Sequence, residues 1–146
     1  MNSSILIING PNLNLVGSRE PSTYGSEPMD SIIARATDFA RDHNISVDYF
    51  QSNHEGEIID RLHQAAAQSR GCLGIVLNAG AYTHTSLAIA DAIRAISLPV
   101  VEVHLSNVAA REPIRHTSLI APACVGTIAG FGPKVYTLAI QALLPA

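Results

Sequence analysis

Short apolar runs alternate with amphipathic segments along the whole chain, and this alternation limits the folds that the chain can adopt. The apolar runs, which are typical of buried strands, cover residues 4–8, 46–51, 72–78, 99–104 and 123–129. The stretches predicted as helices cover residues 29–43, 55–69, 85–95 and 133–143. Alternating strands and helices predict a parallel sheet with helices on both faces.

The number of predicted strands suggests how the sheet is wound. Five such strands favour a flavodoxin-like, doubly wound sheet of order 2-1-3-4-5 with right-handed crossovers. The 146 residues are enough to bury a sizeable core, and no linker, repeat or low-complexity segment divides them. The sequence therefore predicts an α/β fold with a single catalytic domain over residues 1–146.

The low content of charged residues bears on the partners of the chain. Charged residues make up 14% of the sequence, against an average of about 25%. Two explanations are open: other subunits cover much of the exterior, or the chain is simply rich in alanine. The net charge of −3, without a run of lysine or arginine, argues against binding to nucleic acid or to an anionic membrane.

The cysteines and the first residues of the sequence indicate where in the cell the protein is expected. Cys72 and Cys124 lie in apolar runs without metal or redox spacing, which is typical of core thiols in a reducing compartment. The first residues lack the basic segment of a secretory signal, and no apolar run approaches the ~18 residues of a membrane span. A cytoplasmic location without membrane association is therefore expected.

Polar and reactive side chains concentrate in the segments that follow the predicted strands. Ligands of such sheets bind beyond the carboxyl ends of the strands, so these segments are expected to form one site. The first of them, residues 9–25, is rich in asparagine, glycine and proline, which argues against a regular helix or central strand. Its length is typical of a lid or binding loop.

Arg19 and Tyr24 in this loop form a candidate charge-and-base pair. A tyrosine with a pKa of about 10 is a poor base at neutral pH unless its phenolate is favoured. A nearby guanidinium can lower that pKa. Alternatively, the ring of Tyr24 packs on the loop, and Arg19 binds a substrate anion or is solvated.

His104 and Glu102 are candidates for a proton-transfer pair. Strand alternation places both on one face, where a carboxylate can orient an imidazole and keep it protonated. The alternative is a structural histidine at a strand end. The following Leu105 and Ser106 offer backbone N–H groups and a hydroxyl to an anion.

Four further polar residues lie near the same predicted edge. Asn78 ends a strand with two donors and an acceptor, or is simply a turn former. His84 and Asp91 are seven residues apart across a predicted helix, hence on one face, where they could also cap or pair. Arg115 is a candidate anion or hydroxyl ligand, or is solvated.

Several chemistries lack their motifs in this sequence. It has no H-E-x-x-H, no C-x-x-C and no carboxylate cluster, so no metal site is expected. The run from Gly130 to Lys134 lacks the full pattern of a phosphate loop, and the first loop is not Gly-x-Gly-x-x-Gly. Lys134 is the single lysine, which leaves Schiff-base chemistry almost without a candidate. A phosphate or nucleotide enzyme and a non-catalytic oligomeric binding module remain alternatives.

Seven short motifs follow one another along nearly the whole chain. They are Asn9-Gly-Pro-Asn-Leu-Asn, Arg19-Glu-Pro-x-x-Tyr24-Gly, Gln51-Ser-Asn-His-Glu-Gly56, Asn78-Ala-Gly-Ala-Tyr-Thr-His84, Val103-His-Leu-Ser-Asn107, Arg111-Glu-Pro-x-Arg115 and Gly130-Phe-Gly132. Each is common in isolation, but the ordered set is highly specific and resembles the type II 3-dehydroquinate dehydratases. Ile114 stands where many members have an aromatic residue, and Thr117 where histidine is frequent.

The resemblance implies a lyase of the shikimate pathway that dehydrates 3-dehydroquinate to 3-dehydroshikimate by reversible anti elimination through an enolate. In that reaction Tyr24 removes the C2 proton and Arg19 lowers its pKa. Asn12 holds a water against the enolate oxygen. His104, oriented by Glu102, protonates the departing C1 hydroxyl.

The resemblance also implies the substrate contacts and the assembly. The residues implied to bind substrate are Asn78, His84, Asp91, Leu105, Ser106 and Arg115, with Asp91 reaching in from a neighbouring subunit. The family is a dodecamer, a tetramer of trimers, and uses no cofactor or metal. Residues 18–25 are expected to become ordered when ligand binds.

Overall fold

Five parallel strands form one sheet at the centre of the molecule. The computed structural model describes residues 2–18 and 21–146, apart from the side chains of Pro21 and Tyr24. The strands are β1 Ser3–Asn9, β2 Ile45–Gln51, β3 Cys72–Asn78, β4 Val100–His104 and β5 Gly126–Ala129. Their order is β2-β1-β3-β4-β5 and every neighbouring pair is parallel, which confirms the predicted flavodoxin-like winding.

Helices cover both faces of the sheet because side chains of the inner strands alternate between two apolar layers. The helices are α1 Pro21–Tyr24, α2 Met29–Asp42, α3 Glu55–Ala67, α4 Leu87–Ala95 and α5 Lys134–Leu143. On β1, Ile5 and Ile7 pack with α2 and α5, whereas Leu6 and Ile8 pack with α3 and α4. Both layers are buried, as expected of a doubly wound sheet. In the described part of the chain, no helix is long and apolar enough to cross a membrane.

Three differences from the predicted elements have an identifiable local cause, and the other boundaries shift by at most two residues. β5 begins at Gly126 rather than at residue 123, because Ala121–Ala123 forms a 3-10 turn that contains a proline. α4 begins at Leu87 rather than at residue 85, because the Ser86 hydroxyl caps it by accepting from the N–H of Ile89. The loop after β1 contains the single-turn segments Leu13–Leu15 and α1, although its composition argues against regular helix.

The sheet register brings the polar strand ends together. Asn9 lies level with Gln51 of β2 and with Asn78 of β3. Gly10 follows directly, and its N–H donates to the Asn78 carbonyl at 2.7 Å. A Cβ at Gly10 would lie 2.5 Å from the Ala79 carbonyl oxygen. The loops after β1 and β3 therefore cross at van der Waals distance, which requires a glycine.

Gly10→Ala should consequently destabilise the protein by about 3 kcal/mol, because the obstructing atoms are backbone and cannot rotate away. Gly56→Ala is a matched control: apart from its chain neighbours and the backbone of α3, no atom lies within 4 Å of its added Cβ. There we expect stabilisation of roughly 0.5–1 kcal/mol. Urea unfolding of both variants measures the difference. Equal stabilities would show that the two loops are not held at this distance.

Candidate active site

A cleft of about 530 Å³, including solvent at its mouth, opens beyond the carboxyl ends of β1, β3 and β4. Its lining residues are Pro11, Asn12, Leu13, Asn78, Gly80, Ala81, His84, His104, Leu105, Ser106, Val108, Arg111 and Arg115. The cleft thus collects seven of the residues predicted from sequence to act on a ligand. It is the position in which doubly wound sheets bind ligands.

His104 and Glu102 form a buried pair at the floor of the cleft. His104 Nε2 lies 2.5 Å from Glu102 Oε2, and the two side chains are 7% and 1% exposed. Both point from the same face of β4, as strand alternation predicts. The carboxylate fixes the orientation of the imidazole, which suits the ring to carry a proton at the cleft.

Two hydroxyls that the sequence did not reveal hold the Glu102 carboxylate. Ser118 Oγ and Thr127 Oγ1 each donate to Glu102 Oε1 at 3.2 Å. Thr127 lies opposite Glu102 on the neighbouring strand β5. The two oxygens of Glu102 are therefore divided between these hydroxyls and the imidazole, so that the carboxylate cannot rotate without losing hydrogen bonds.

His84 stands beside His104 but does not share a helix with Asp91. The imidazole rings of His84 and His104 are 6.3 Å apart between centroids and nearly parallel, and His84 Nδ1 lies 2.8 Å from the Thr117 carbonyl oxygen. His84 ends the 3-10 segment Gly80–His84, before α4 begins. The expectation of one shared helical face is wrong because Ser86 starts a new helix.

Asp91 lies outside the cleft of its own chain. Its side chain is 78% exposed on α4 and lies 3.9 Å from the Arg94 guanidinium. The structure therefore leaves this carboxylate on the surface, where a second subunit could meet it.

Asn12 is held by its backbone at the rim of the cleft. It adopts the left-handed conformation, with φ of 69°, which asparagine tolerates better than other residues with a side chain. Its N–H donates to Asn53 Oδ1 at 3.0 Å, and Gln51 Nε2 donates to the same oxygen at 3.2 Å. The loop after β2 thereby fixes the backbone from which the Asn12 side chain extends.

Two arginines give one side of the cleft positive charge. Arg115 Nε donates to Glu112 Oε1 at 3.0 Å, and Arg111 Nη1 lies 3.5 Å from Ser106 Oγ. The pKa of Glu112 is lowered, mainly because the backbone N–H of Glu112 donates to its carboxylate. The hydrogen bond from Arg115 and the positive charges of Arg115 and Arg111 lower it further. Arg111 belongs to a motif noted in the sequence, but it was not among the candidate site residues. These guanidinium groups suit an anionic or hydroxylated ligand.

The helix that carries Tyr24 lies at an adjoining cleft. Ser22, Thr23 and Gly25 line this second cleft, which shares Leu105, Ser106 and Arg111 with the first. The backbone of α1 is therefore next to the predicted site. Arg19 and the side chain of Tyr24 lie outside the described residues, as does part of the segment expected to become ordered with ligand.

Cys124 lies near Glu102, and its thiol should be unreactive. Burial, with a smaller contribution from the negative charge of Glu102, raises the pKa of Cys124 from 9.0 to about 12. At pH 9.0, alkylation of folded Cys124 by iodoacetamide should thus be slower than that of the unfolded chain by roughly two to three orders of magnitude. Peptide mass spectrometry measures the modified fraction. Equal rates in both states would contradict this burial.

The residues of the cleft fit proton transfer better than metal chemistry. Among the described residues, no group of three or more histidine, cysteine, aspartate or glutamate side chains has an arrangement that could hold a metal ion. The cleft instead combines an oriented imidazole, two guanidinium groups and two asparagine amides. Such a set can bind a small anion and transfer protons at a fixed point.

Comparison with known proteins places the chain in a family. A family model described as dehydroquinase class II matches residues 3–144. The chain belongs to this family. The 3-dehydroquinate dehydratase of Rhizobium johnstonii is 52% identical over 143 residues, which are 98% of this chain and 97% of that protein. The enzyme of the same name from Caldicellulosiruptor saccharolyticus is 53% identical over 139 residues, 95% of this chain and 94% of its own.

Solved structures of similar proteins share the fold. A type II dehydroquinase from Butyrivibrio crossotus superposes with a TM-score of 0.93 at 46% identity, covering 97% of each chain. A 3-dehydroquinate dehydratase-like protein from Bifidobacterium longum gives 0.69 at 28% identity, covering 97% of this chain and 94% of that one. The family resemblance inferred from the motifs is therefore confirmed.

Proposed function

We propose that this class II dehydroquinase is a 3-dehydroquinate dehydratase of the shikimate pathway, which serves chorismate and aromatic amino acid biosynthesis. It catalyses the reversible anti dehydration of 3-dehydroquinate to 3-dehydroshikimate. The observation that carries the proposal is the buried His104–Glu102 pair at the floor of a cleft that also contains Asn12 and Asn78. Family membership indicates the substrate, and the contact with Glu102 orients the His104 imidazole to act as an acid.

The proposed reaction proceeds through an enolate. Tyr24, its pKa lowered by Arg19, removes the C2 proton, and negative charge develops on the carbonyl oxygen. Asn12 holds a water that donates to this oxygen. His104 then gives its proton to the C1 hydroxyl, which leaves as water. Glu102 keeps the imidazole in position for that transfer.

The proposed substrate contacts follow the distribution of donors in the cleft. Asn78, together with the backbone N–H groups of Leu105 and Ser106, binds the carboxylate. His84 and Arg115, which also line the cleft, bind ring hydroxyls. Asp91 contributes from a neighbouring subunit, a role supported by its position outside its own cleft and its 78% exposed side chain.

The reaction is proposed to need no imine and no cofactor. Lys134 is the single lysine of the sequence; it is the first residue of α5 and does not line the main cleft. A phosphate or nucleotide enzyme is not favoured, since the family match points to dehydration. A non-catalytic binding module would not need the buried imidazole–carboxylate pair.

An activity assay tests the proposal directly. Purified protein mixed with 3-dehydroquinate should produce an enone that absorbs in the near ultraviolet. Borohydride added during turnover should trap no covalent adduct. Absence of the enone would overturn the proposed function, whereas an adduct on Lys134 would overturn only the imine-free route.

We propose further that the chain forms the family's dodecamer, a tetramer of trimers, in the cytoplasm. Large apolar side chains are exposed at Leu87, Ile114, Val125 and Phe131, each between 65% and 69%. Leu87 lies on the same helix as Asp91, so an interface there would bring this carboxylate to another subunit. The mass of the assembly in solution tests the oligomer, and a monomeric mass with full activity would contradict it.

A further inference from the structure

A buried row of hydrogen bonds connects the cleft to the last helix. Asn78 Nδ2 donates to the Tyr136 hydroxyl at 3.2 Å, and that hydroxyl donates to Asn9 Oδ1 at 2.7 Å. Asn9 Nδ2 donates in turn to the Tyr49 hydroxyl at 3.1 Å. Asn9 and Tyr136 are completely buried and Asn78 is 3% exposed. The row therefore ties α5 to β3, β1 and β2 beneath the cleft.

The direction of every hydrogen bond in this row is determined by its neighbours. The N–H of Gly80 can only donate, and it points at Asn78 Oδ1 at 3.2 Å. The Asn78 amide must therefore turn its NH₂ group toward Tyr136. The single hydroxyl proton of Tyr136 is then directed to Asn9 Oδ1, which leaves the NH₂ group of Asn9 for Tyr49.

The direction of these hydrogen bonds determines whether Asn78 can donate to a ligand or accept from it. One hydrogen of its NH₂ group is used by Tyr136, and its oxygen is already engaged by the N–H of Gly80. The second hydrogen of Nδ2 remains for a group in the cleft that Asn78 lines. The side chain consequently acts as a donor, which suits a carboxylate and disfavours a ligand that itself needs an acceptor.

Burial keeps the Tyr136 side chain as a protonated phenol, which the row of hydrogen bonds requires. Burial raises the pKa of Tyr136 well above its ordinary value. The phenol therefore retains its proton and can both donate to Asn9 and accept from Asn78. A phenolate could accept only, and it would leave Asn9 Oδ1 without a donor.

We propose that Tyr136, which is wholly buried, is a positioning residue: it holds the Asn78 amide in the orientation that the Gly80 N–H selects, ready to receive the substrate carboxylate. The inference rests on the proposed function and extends it to a residue outside the main cleft. Without the hydroxyl, the Asn78 amide is held only at its oxygen by the N–H of Gly80, so its NH₂ group is less firmly directed and its donation to the carboxylate becomes weaker.

Tyr136→Phe tests the proposal with a change of one oxygen atom. A hydrogen bond to a charged group is weakened, so KM for 3-dehydroquinate should rise by about tenfold. The value of kcat should stay close to wild type, because Tyr24 and His104 are unchanged. Ile140→Val is a matched control: Ile140 is a completely buried residue of the same helix, and its loss of one methyl group should leave KM unaltered.

A double-mutant cycle separates positioning from general support of the fold. In an Asn78→Ala background, Tyr136→Phe should cause no further rise in KM, because its effect passes through the amide that is already absent. Additive effects of the two changes, or a fall in kcat alone, would overturn the proposal. If wild type itself does not turn over 3-dehydroquinate, the proposed function fails instead.

Tyr49→Phe keeps the test available if Tyr136→Phe does not fold. Tyr49 is 39% exposed and accepts the last hydrogen bond of the row. Its loss should raise KM in the same direction but by less, and this rise should disappear in the Asn78→Ala background. An unaltered KM for Tyr49→Phe, in a fully folded protein, would count against the proposal.

Discussion

Tyr24→Phe should lower kcat for 3-dehydroquinate by on the order of 10²–10⁴-fold, the contribution of a positioned general base. Phenylalanine preserves the ring but has no hydroxyl to ionise, so the C2 proton has no acceptor. The value of KM should change far less, because Tyr24 is not among the proposed binding residues. Steady-state rates of enone formation measure both constants.

The matched control for this change is Tyr82→Phe. The Tyr82 hydroxyl donates to the Asn53 backbone carbonyl at 3.1 Å in an exposed position. Its removal should leave kcat close to wild type, which shows that loss of a phenol near the cleft is not harmful in itself. Undiminished kcat for Tyr24→Phe would show that another group removes the proton.

His104→Gln should also lower kcat by on the order of 10²–10⁴-fold, because glutamine cannot carry the proton that the departing hydroxyl needs. Glutamine retains a hydrogen-bond donor for the buried carboxylate of Glu102, so the protein should remain folded. Circular dichroism and the assay, run on the same sample, separate loss of chemistry from loss of structure.

His63→Gln serves as the control for this substitution, since His63 is exposed on α3 and lies outside the cleft. It should retain wild-type kcat. If His104→Gln remains folded and also retains its kcat, His104 is not the acid. Glu102 should then be tested in its place by Glu102→Gln.

The fold was predictable from sequence because its signals are local. Each inner strand is a short apolar run that ends in a polar residue, such as Asn9 or Asn78, and each long helix carries a periodic apolar face. The main error in a strand boundary has a local cause as well. Residues 121–123 look apolar, but Pro122 lies in a 3-10 turn, so β5 starts only at Gly126.

The partners of the site residues were not predictable in the same way. Ser118 and Thr127 hold Glu102, and Tyr136 holds Asn78, over separations of 16, 25 and 58 residues. Nothing in the local pattern around Tyr136 distinguishes it from an ordinary core residue of an amphipathic helix. Such contacts are created when α5, β5 and the segment before β5 come together with the inner strands, and they become visible only in the folded chain.

The stereochemistry of elimination tests the proposed mechanism most directly. Wild-type protein would be given 3-dehydroquinate that carries deuterium at C2 on the face opposite the C1 hydroxyl. Mass spectrometry of the 3-dehydroshikimate then shows which hydrogen has left. An anti elimination with Tyr24 as base and His104 as acid predicts product without deuterium. Product that retains the deuterium would contradict the account.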